Sequence, residues 1–242
     1  MPTQSDHFLR IDETPTEEEN DRIVLGAPDL QCHLRLIHTA YDLLPVIVRH
    51  AEYKTDAELY FLRLAIRLFN SGSSALKLAR SGYYQPALSM VRDIVEMQFL
   101  IDLFRRDPKE LECWVTLPPQ DREKRFKPFE VRKKLDEADG LKNELRAEAY
   151  KQFCQYAAHP TPEGFRVISP EGLTKVGPFP SEKALGACIE ELAKHFSYAC
   201  FLFSKSFESS DEEVLVAKAR FVETYQDWAQ RYLLLAKNDQ GS

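Results

Sequence analysis

Along most of the chain, apolar side chains recur every three or four positions between short polar breaks rich in proline or glycine, which is the pattern of amphipathic helices joined by turns. From 29 to about 54 the series Leu30, Leu34, Ile37, Tyr41, Leu44 and Ile47 or Val48 predicts one helix, kinked at Pro45 where a backbone donor is lost. Thr55-x-x-Glu58 is a capping-box pattern and opens a second helix through Leu62, Ala65, Ile66, Phe69, Ser73 and Leu76, with Gly82 closing it. The helical phase continues unshifted across Asn70-Ser71-Gly72-Ser73-Ser74, so these small residues read as a place where another helix can come close. A third helix, with Pro86 in its first turn, runs through Leu88, Val91, Ile94, Val95, Phe99, Leu100 and Leu103 to Arg106. It is apolar on most faces, which predicts a central position.

Asp107-Pro108-Lys109-Glu110 combines an N-cap, a proline at the first helical position and a capping-box glutamate, and predicts a short helix through Trp114 that ends at Pro118-Pro119. Residues 119–158 read as two helices broken near Gly140, the first interrupted or bent at Pro128. Five of the fourteen prolines lie between 160 and 180 with Gly164, Gly172 and Gly177, so helix cannot continue there, and 165–168 and 173–176 resemble a short hairpin. Leu185, Ile189, Leu192, Phe196, Ala199 and Phe203 mark the next helix; Ser210-x-x-Glu213 caps a last one with the seam Phe221, Tyr225, Trp228, Tyr232 and Leu235. No period of 20 to 50 residues recurs, which excludes a repeat array. The expected fold is an all-α bundle of about seven or eight helices with one β-hairpin insertion at about 163–179, and residues 23–242 form a single domain.

The formal net charge of −6 is unevenly placed. Residues 1–22 hold seven acids against Arg10 and Arg22, and with their prolines and scarce aromatics they read as an acidic tail that is mobile, or pinned by only a few contacts such as Phe8 and Leu9. The remainder is nearly neutral, so the total does not argue against a polyanionic partner. Residues 121–134 carry +4, with Phe126 and Phe129 interleaved among Arg122, Lys124, Arg125 and Lys127, which makes these four bases candidate nucleic-acid contacts. The same stretch also fits a solvated helix, or a seat for the chain's own acidic tail. Nine glycines with no GxGxxG or GxxxxGK[ST] string exclude dinucleotide and P-loop chemistry. Charge-free stretches such as 152–162 fall well short of the roughly 20 residues of a membrane helix. Five cysteines without a CxxC pair or a signal peptide point to a reduced, cytoplasmic protein.

Two features carry candidate chemistry. Arg92 and Glu96 lie four apart on the apolar third helix, an ion pair in surroundings where charge is costly, which fits a functional site or a clamp between helices. His159 ends a helix in Gln155-Tyr156-Ala157-Ala158-His159-Pro160, where the helix dipole favours its protonated form and the position suits acid/base work or a plain C-terminal cap. His38 with Asp42 and Glu191 with His195 sit four apart, but no Glu-x-x-His motif exists, so neither a di-iron site nor any other metal or cofactor is expected. The aromatic seam of the last helix suits core packing or, by its heptad-like spacing, a homodimer interface.

The run Ala75-Leu76-Lys77-Leu78-Ala79-Arg80-Ser81-Gly82-Tyr83-Tyr84-Gln85-Pro86-Ala87-Leu88, followed by Arg92 and Glu96 and later by Tyr156-x-x-His159-Pro160, resembles an uncharacterised all-helical bacterial family akin to the HEPN superfamily. The likeness covers residues 55 to 165. It implies an RNA-binding or RNA-cleaving module of stress or phage defence, a metal-independent ribonuclease where it cleaves, with His159 as acid/base, Arg92 on phosphate, Glu96 orienting Arg92, and Tyr156 in the same site. The sequence departs from that pattern in one respect: HEPN ribonucleases carry an arginine separated from the histidine by four to six residues, and here Gln152, Phe153 and Cys154 occupy those positions before His159. Arg92 supplies the cation from a neighbouring helix, or the protein is a non-cleaving relative. The alternative reading is a non-catalytic interaction module acting as a homodimer.

Overall fold

Helix α4, Tyr84–Arg106, packs along two other long helices, Asp56–Arg80 and Glu182–Ser204. A computed structural model describes residues 11–141, 145–158 and 160–234. Among them the elements are α1 Thr14–Gly26, α2 Pro28–His50, α3 Asp56–Arg80, α4, α5 Pro108–Thr116, α6 Pro119–Phe126, α7 Pro128–Ala138, α8 Leu145–Phe153, α9 Pro162–Phe165, α10 Glu182–Ser204 and α11 Glu212–Ala229. A π-helical turn, Cys154–Ala158, extends α8, and another, Gln230–Leu234, extends α11. The fold is therefore all-α, with eleven α-helices among the described residues because the proline-punctuated stretches form separate short helices. None of these helices is long and apolar enough to cross a membrane.

The breadth of the apolar surface on α4 explains its place. One side packs on α3 and another on α10, and the rest is covered by α5, α7, α8 and the π turn after α8. Val91, Ile94, Val95 and Ile101 are at most 1% exposed. Helix α2 packs on α10 and α11, and it passes through Pro45 without ending, the proline lying on the exposed face between buried Leu44 and Ile47.

The capping box at Thr55 forms as its spacing predicts: the Glu58 amide donates to the Thr55 hydroxyl at 3.2 Å and the Thr55 amide donates to the Glu58 carboxylate at 3.2 Å. Helix α3 is continuous through the small-residue cluster, and Gly72 is what lets α10 approach, since a Cβ there would lie 2.7 Å from the ring of Phe196. At the far end of α3, the Gly82 amide reaches the Ala79 carbonyl and the Tyr83 amide reaches the Leu78 carbonyl, the paired bonds of a Schellman turn, with Gly82 at φ 85°.

Four expectations are corrected. The β-hairpin is not seen: Thr161 caps α9 by accepting from the Gly164 amide at 2.9 Å, two 3-10 turns follow, and a single backbone bond, Lys175 to Ile168 at 2.8 Å, crosses where a ladder would need several. Proline and glycine leave too few donors and too much bending for strands. The acidic segment is helical from Thr14 onward: Asn20 is 1% exposed, and its amide donates to the Arg80 carbonyl at 2.9 Å, capping α3. Glu17 and Asp21 pair with Lys77 and Arg80 rather than with the basic stretch at 121–134; residues 1–10 lie outside the described residues. The last helix is capped by Asp211, one residue after Ser210, because its carboxylate accepts the Glu213 and Val214 amides. Finally, the seam offered to a dimer is used inside the chain: Phe221 and Trp228 are buried in the common core and Tyr225 stacks on Phe201 of α10, while Leu235 lies outside the described residues.

Candidate functional site

The Arg92–Glu96 pair forms across one turn of α4 at 2.8 Å, with each side chain a little over a quarter exposed. Its partners come from α8 and the π turn. Arg92 donates from Nη2 to the Tyr150 hydroxyl at 2.5 Å and from Nε to the Cys154 thiol at 3.4 Å, and the Tyr150 hydroxyl donates in turn to Glu96. The phenol thus sits between cation and carboxylate, accepting from one and donating to the other. Burial, reinforced by the negative charge of Glu96, pushes the Tyr150 phenol well above its ordinary value, so it stays protonated and keeps its donor. Burial works against the charge on Arg92, but the bond to Cys154 and the charge of Glu96 outweigh it and hold the guanidinium above its usual range.

Beneath this triad lies a second guanidinium. Arg132 of α7 is 9% exposed, and its central carbon is 4.3 Å from the centre of the Tyr150 ring, against 5.1 Å for that of Arg92. Both are cation–π distances. Sequence spacing could not reveal this group, because Arg132 reaches it from α7 and Tyr150 and Cys154 from α8 and its π turn, both distant in sequence from Arg92. The only advance sign was the pairing of a charged face with an apolar helix.

Further back along α4, Ser89 donates to the Ala157 carbonyl at 2.8 Å and Gln85 donates to the carbonyls of Tyr156 and Gly164 at 3.4 and 3.5 Å. The Thr161 hydroxyl donates to the Gln155 carbonyl. The chain on both sides of position 159 is therefore tied together and to the helix that bears Arg92. The π-helical turn of Cys154–Ala158 is a kind of local irregularity frequent at functional sites. His159 itself lies outside the described residues. Tyr156, expected in the same site, has an exposed side chain and accepts from Gln85 through its carbonyl; the tyrosine that meets the pair is Tyr150.

The four candidate nucleic-acid contacts are distributed over α6 and its junction with α7. Arg125 makes two hydrogen bonds to Glu110, at 3.0 and 3.1 Å, and Lys134 joins the same carboxylate at 2.7 Å. These two bases hold Glu110 below the usual carboxylate range in spite of its burial, and they divert it from the capping box that its position in α5 predicts. Arg122 donates to the Leu117 carbonyl at 3.2 Å, Lys127 lies 3.5 Å from Glu130, and Lys124 is exposed. Glu130 is already counted within the +4; from outside the stretch its bases meet Glu110 of α5 and, through Lys133 at 3.9 Å, Glu137 of α7, so about half of the charge is matched. His195 contacts Gln98 at 3.1 Å and Glu191 at 3.5 Å, and His38 packs its ring near Tyr41; no group of three histidine, cysteine or acidic side chains is spaced for a metal among the described residues.

Comparison with known protein families, with curated proteins and with solved structures gave no match to this chain.

Proposed function

We propose that the protein is an RNA-handling helical module of the HEPN kind, with its phosphate-binding site at Arg92 on α4. The observation that supports this reading is the placement of Arg92: a partly exposed guanidinium, held by Glu96, Tyr150 and Cys154, on the same helix that binds the carbonyls of Tyr156 and Ala157 just ahead of His159. Arg92 would meet the negative charge that develops on a phosphate, and Glu96 with Tyr150 would fix its orientation before the substrate arrives. In cleavage, His159 would take the proton of the ribose 2′-hydroxyl, whose oxygen attacks the adjacent phosphorus. The P–O bond to the 5′-oxygen breaks, that oxygen takes a proton from a solvent water, and a 2′,3′-cyclic phosphate is left. No metal enters this scheme.

The test is anisotropy and gel analysis of single-stranded RNA with the purified protein at two salt concentrations. Wild type should bind with a salt-dependent affinity, R92Q should bind at least tenfold more weakly, and H159A should bind but not cut. A protein that binds without cutting, and whose H159A variant behaves like wild type, is a non-cleaving relative. If no binding is seen at low salt, the RNA reading is wrong.

A further inference from the structure

Among the described residues, no carboxylate pairs with Arg132. Its Nε and Nη1 atoms are closed off from solvent and make no hydrogen bond among the described residues. A guanidinium does not lose its proton in a protein, so this is a buried cation, and burial of an ion without a partner is strongly unfavourable. Its neighbours are treated differently: Arg105 and Arg106 share Asp102, Arg125 holds Glu110, and Arg146 holds Asp136 and Asp139. Beside Arg132 the carboxylate at the Tyr150 hydroxyl is Glu96, and that group already accepts from Arg92 and from the phenol. The quadrupole of the Tyr150 ring, 4.3 Å away, offsets part of the charge but accepts no N–H bond. Among the described residues, two guanidinium groups thus lie by one tyrosine with Glu96 as the carboxylate paired there, leaving one positive charge.

We propose that Arg132 and Arg92 together form a seat for one phosphoryl oxyanion of single negative charge, with a phosphodiester as the favoured source. Arg132 supplies the unused N–H donors, which are covered in this structure, so the anion reaches them by displacing the partly exposed side chains of Arg92 and Glu96, which keep 28% and 29% of their exposure. The charge balance selects the ligand: one phosphodiester neutralises the surplus, whereas a dianionic monoester overshoots it. Arg132 was part of the basic stretch at 121–134, yet it acts away from that surface, under Tyr150. This inference rests on the RNA reading for its favoured source and not for the seat itself.

The experiment follows the Arg132 Nε–H signal by NMR in the intact wild-type chain during titration with the dinucleotide UpU, with inorganic phosphate near pH 6, and with chloride at matched ionic strength. R132M, which keeps an apolar stack on Tyr150, is titrated alongside, with a thermal melt to report its folding. Expected are a saturable shift of the Arg132 signal with UpU and at least tenfold weaker binding by R132M. Saturation by phosphate but not by UpU supports the seat and assigns it to free phosphate, which removes support from the RNA reading alone. A shift with neither probe, or equal shifts with chloride, overturns the seat. Because the wild-type signal decides, the proposal survives a variant that does not fold. RNA bound and cut at the wild-type level by folded R132M sinks this inference while leaving the RNA reading in place.

Discussion

Trp228 of α11 donates its indole N–H to Nδ1 of His33 of α2 across 2.7 Å, and both rings are buried. Nδ1 must therefore be unprotonated, which fixes a neutral imidazole with its proton on Nε2. The bond joins the last helix to the second at a point where Tyr232 also packs, 4.5 Å from the His33 ring centre.

This pair makes stability depend on acidity. Burial lowers the His33 pKa below its ordinary value, and the opposing charges of Glu190 and Asp29 do not reverse it. The unfolded chain thus takes up this proton first as the pH falls. The contribution is whole above the ordinary histidine pKa of about 6.5 and is lost as the pH drops from there toward the lowered folded value. Thermal melts of wild type between about pH 7.5 and 5 should lose Tm more steeply than those of H33Q, which has nothing to titrate at this position. Parallel slopes would show that His33 is not the titrating group.

Gly82 predicts a large effect from a single methyl. Its φ of 85° is left-handed, and a Cβ there would lie 2.6 Å from Cγ2 of Thr16 and 2.7 Å from the backbone N and O of Phe179. G82A should cost about 2 to 4 kcal/mol in chemical denaturation, combining the backbone penalty with overpacking. T16S should rescue little of it, because the Phe179 backbone has no rotamer with which to retreat. Full rescue by T16S would place the cost in the side chain alone.

At Gly72 two effects compete. Alanine in a helix interior is favoured over glycine by about 1 kcal/mol, but here the added methyl meets Phe196, which is fully buried and cannot swing away. Overpacking of about 1 to 3 kcal/mol should win, so G72A destabilises. In the F196L background, where space opens, the same change should become neutral or stabilising. If G72A is equally harmful in both backgrounds, close approach of α3 and α10 is not the reason for the glycine.

Local chemistry was legible where neighbours in sequence are also partners in space. The Thr55 capping box, the Gly82 turn, the continuity of α3 through Gly72 and the Arg92–Glu96 pair each involve residues a turn or so apart, and each forms as its spacing implies. Where a residue had a better partner elsewhere, spacing misled. Glu110 left its capping box for Arg125 and Lys134, and Asn20 drew an acidic segment into a docked helix by capping the end of α3. The composition of residues 1–22 could not show this, because the contacts that order 14–22 are supplied by Lys77, Arg80 and Tyr84, some sixty residues away.

The Gly-Tyr turn shows the same division. Gly82 closes α3, which sequence alone predicts, but its close fit arises because α1 and the chain before α10 pack over it, with the Tyr84 hydroxyl donating to Asn20 and accepting from the Ser181 amide. A motif that supported a family resemblance thus has a sufficient packing explanation of its own.

The amino-acid sequence by itself determined a mainly helical chain, the approximate bounds of its long helices and the charged pair on α4, because helix period, caps and turn residues act over a few positions. Tertiary structure alone decided that the α11 seam is internal, that residues 163–179 are short turns instead of a hairpin, and that Tyr150, Cys154 and Arg132 join Arg92. Those outcomes depend on which distant groups satisfy a buried donor or charge. Desolvation makes that choice only once the helices have been brought together.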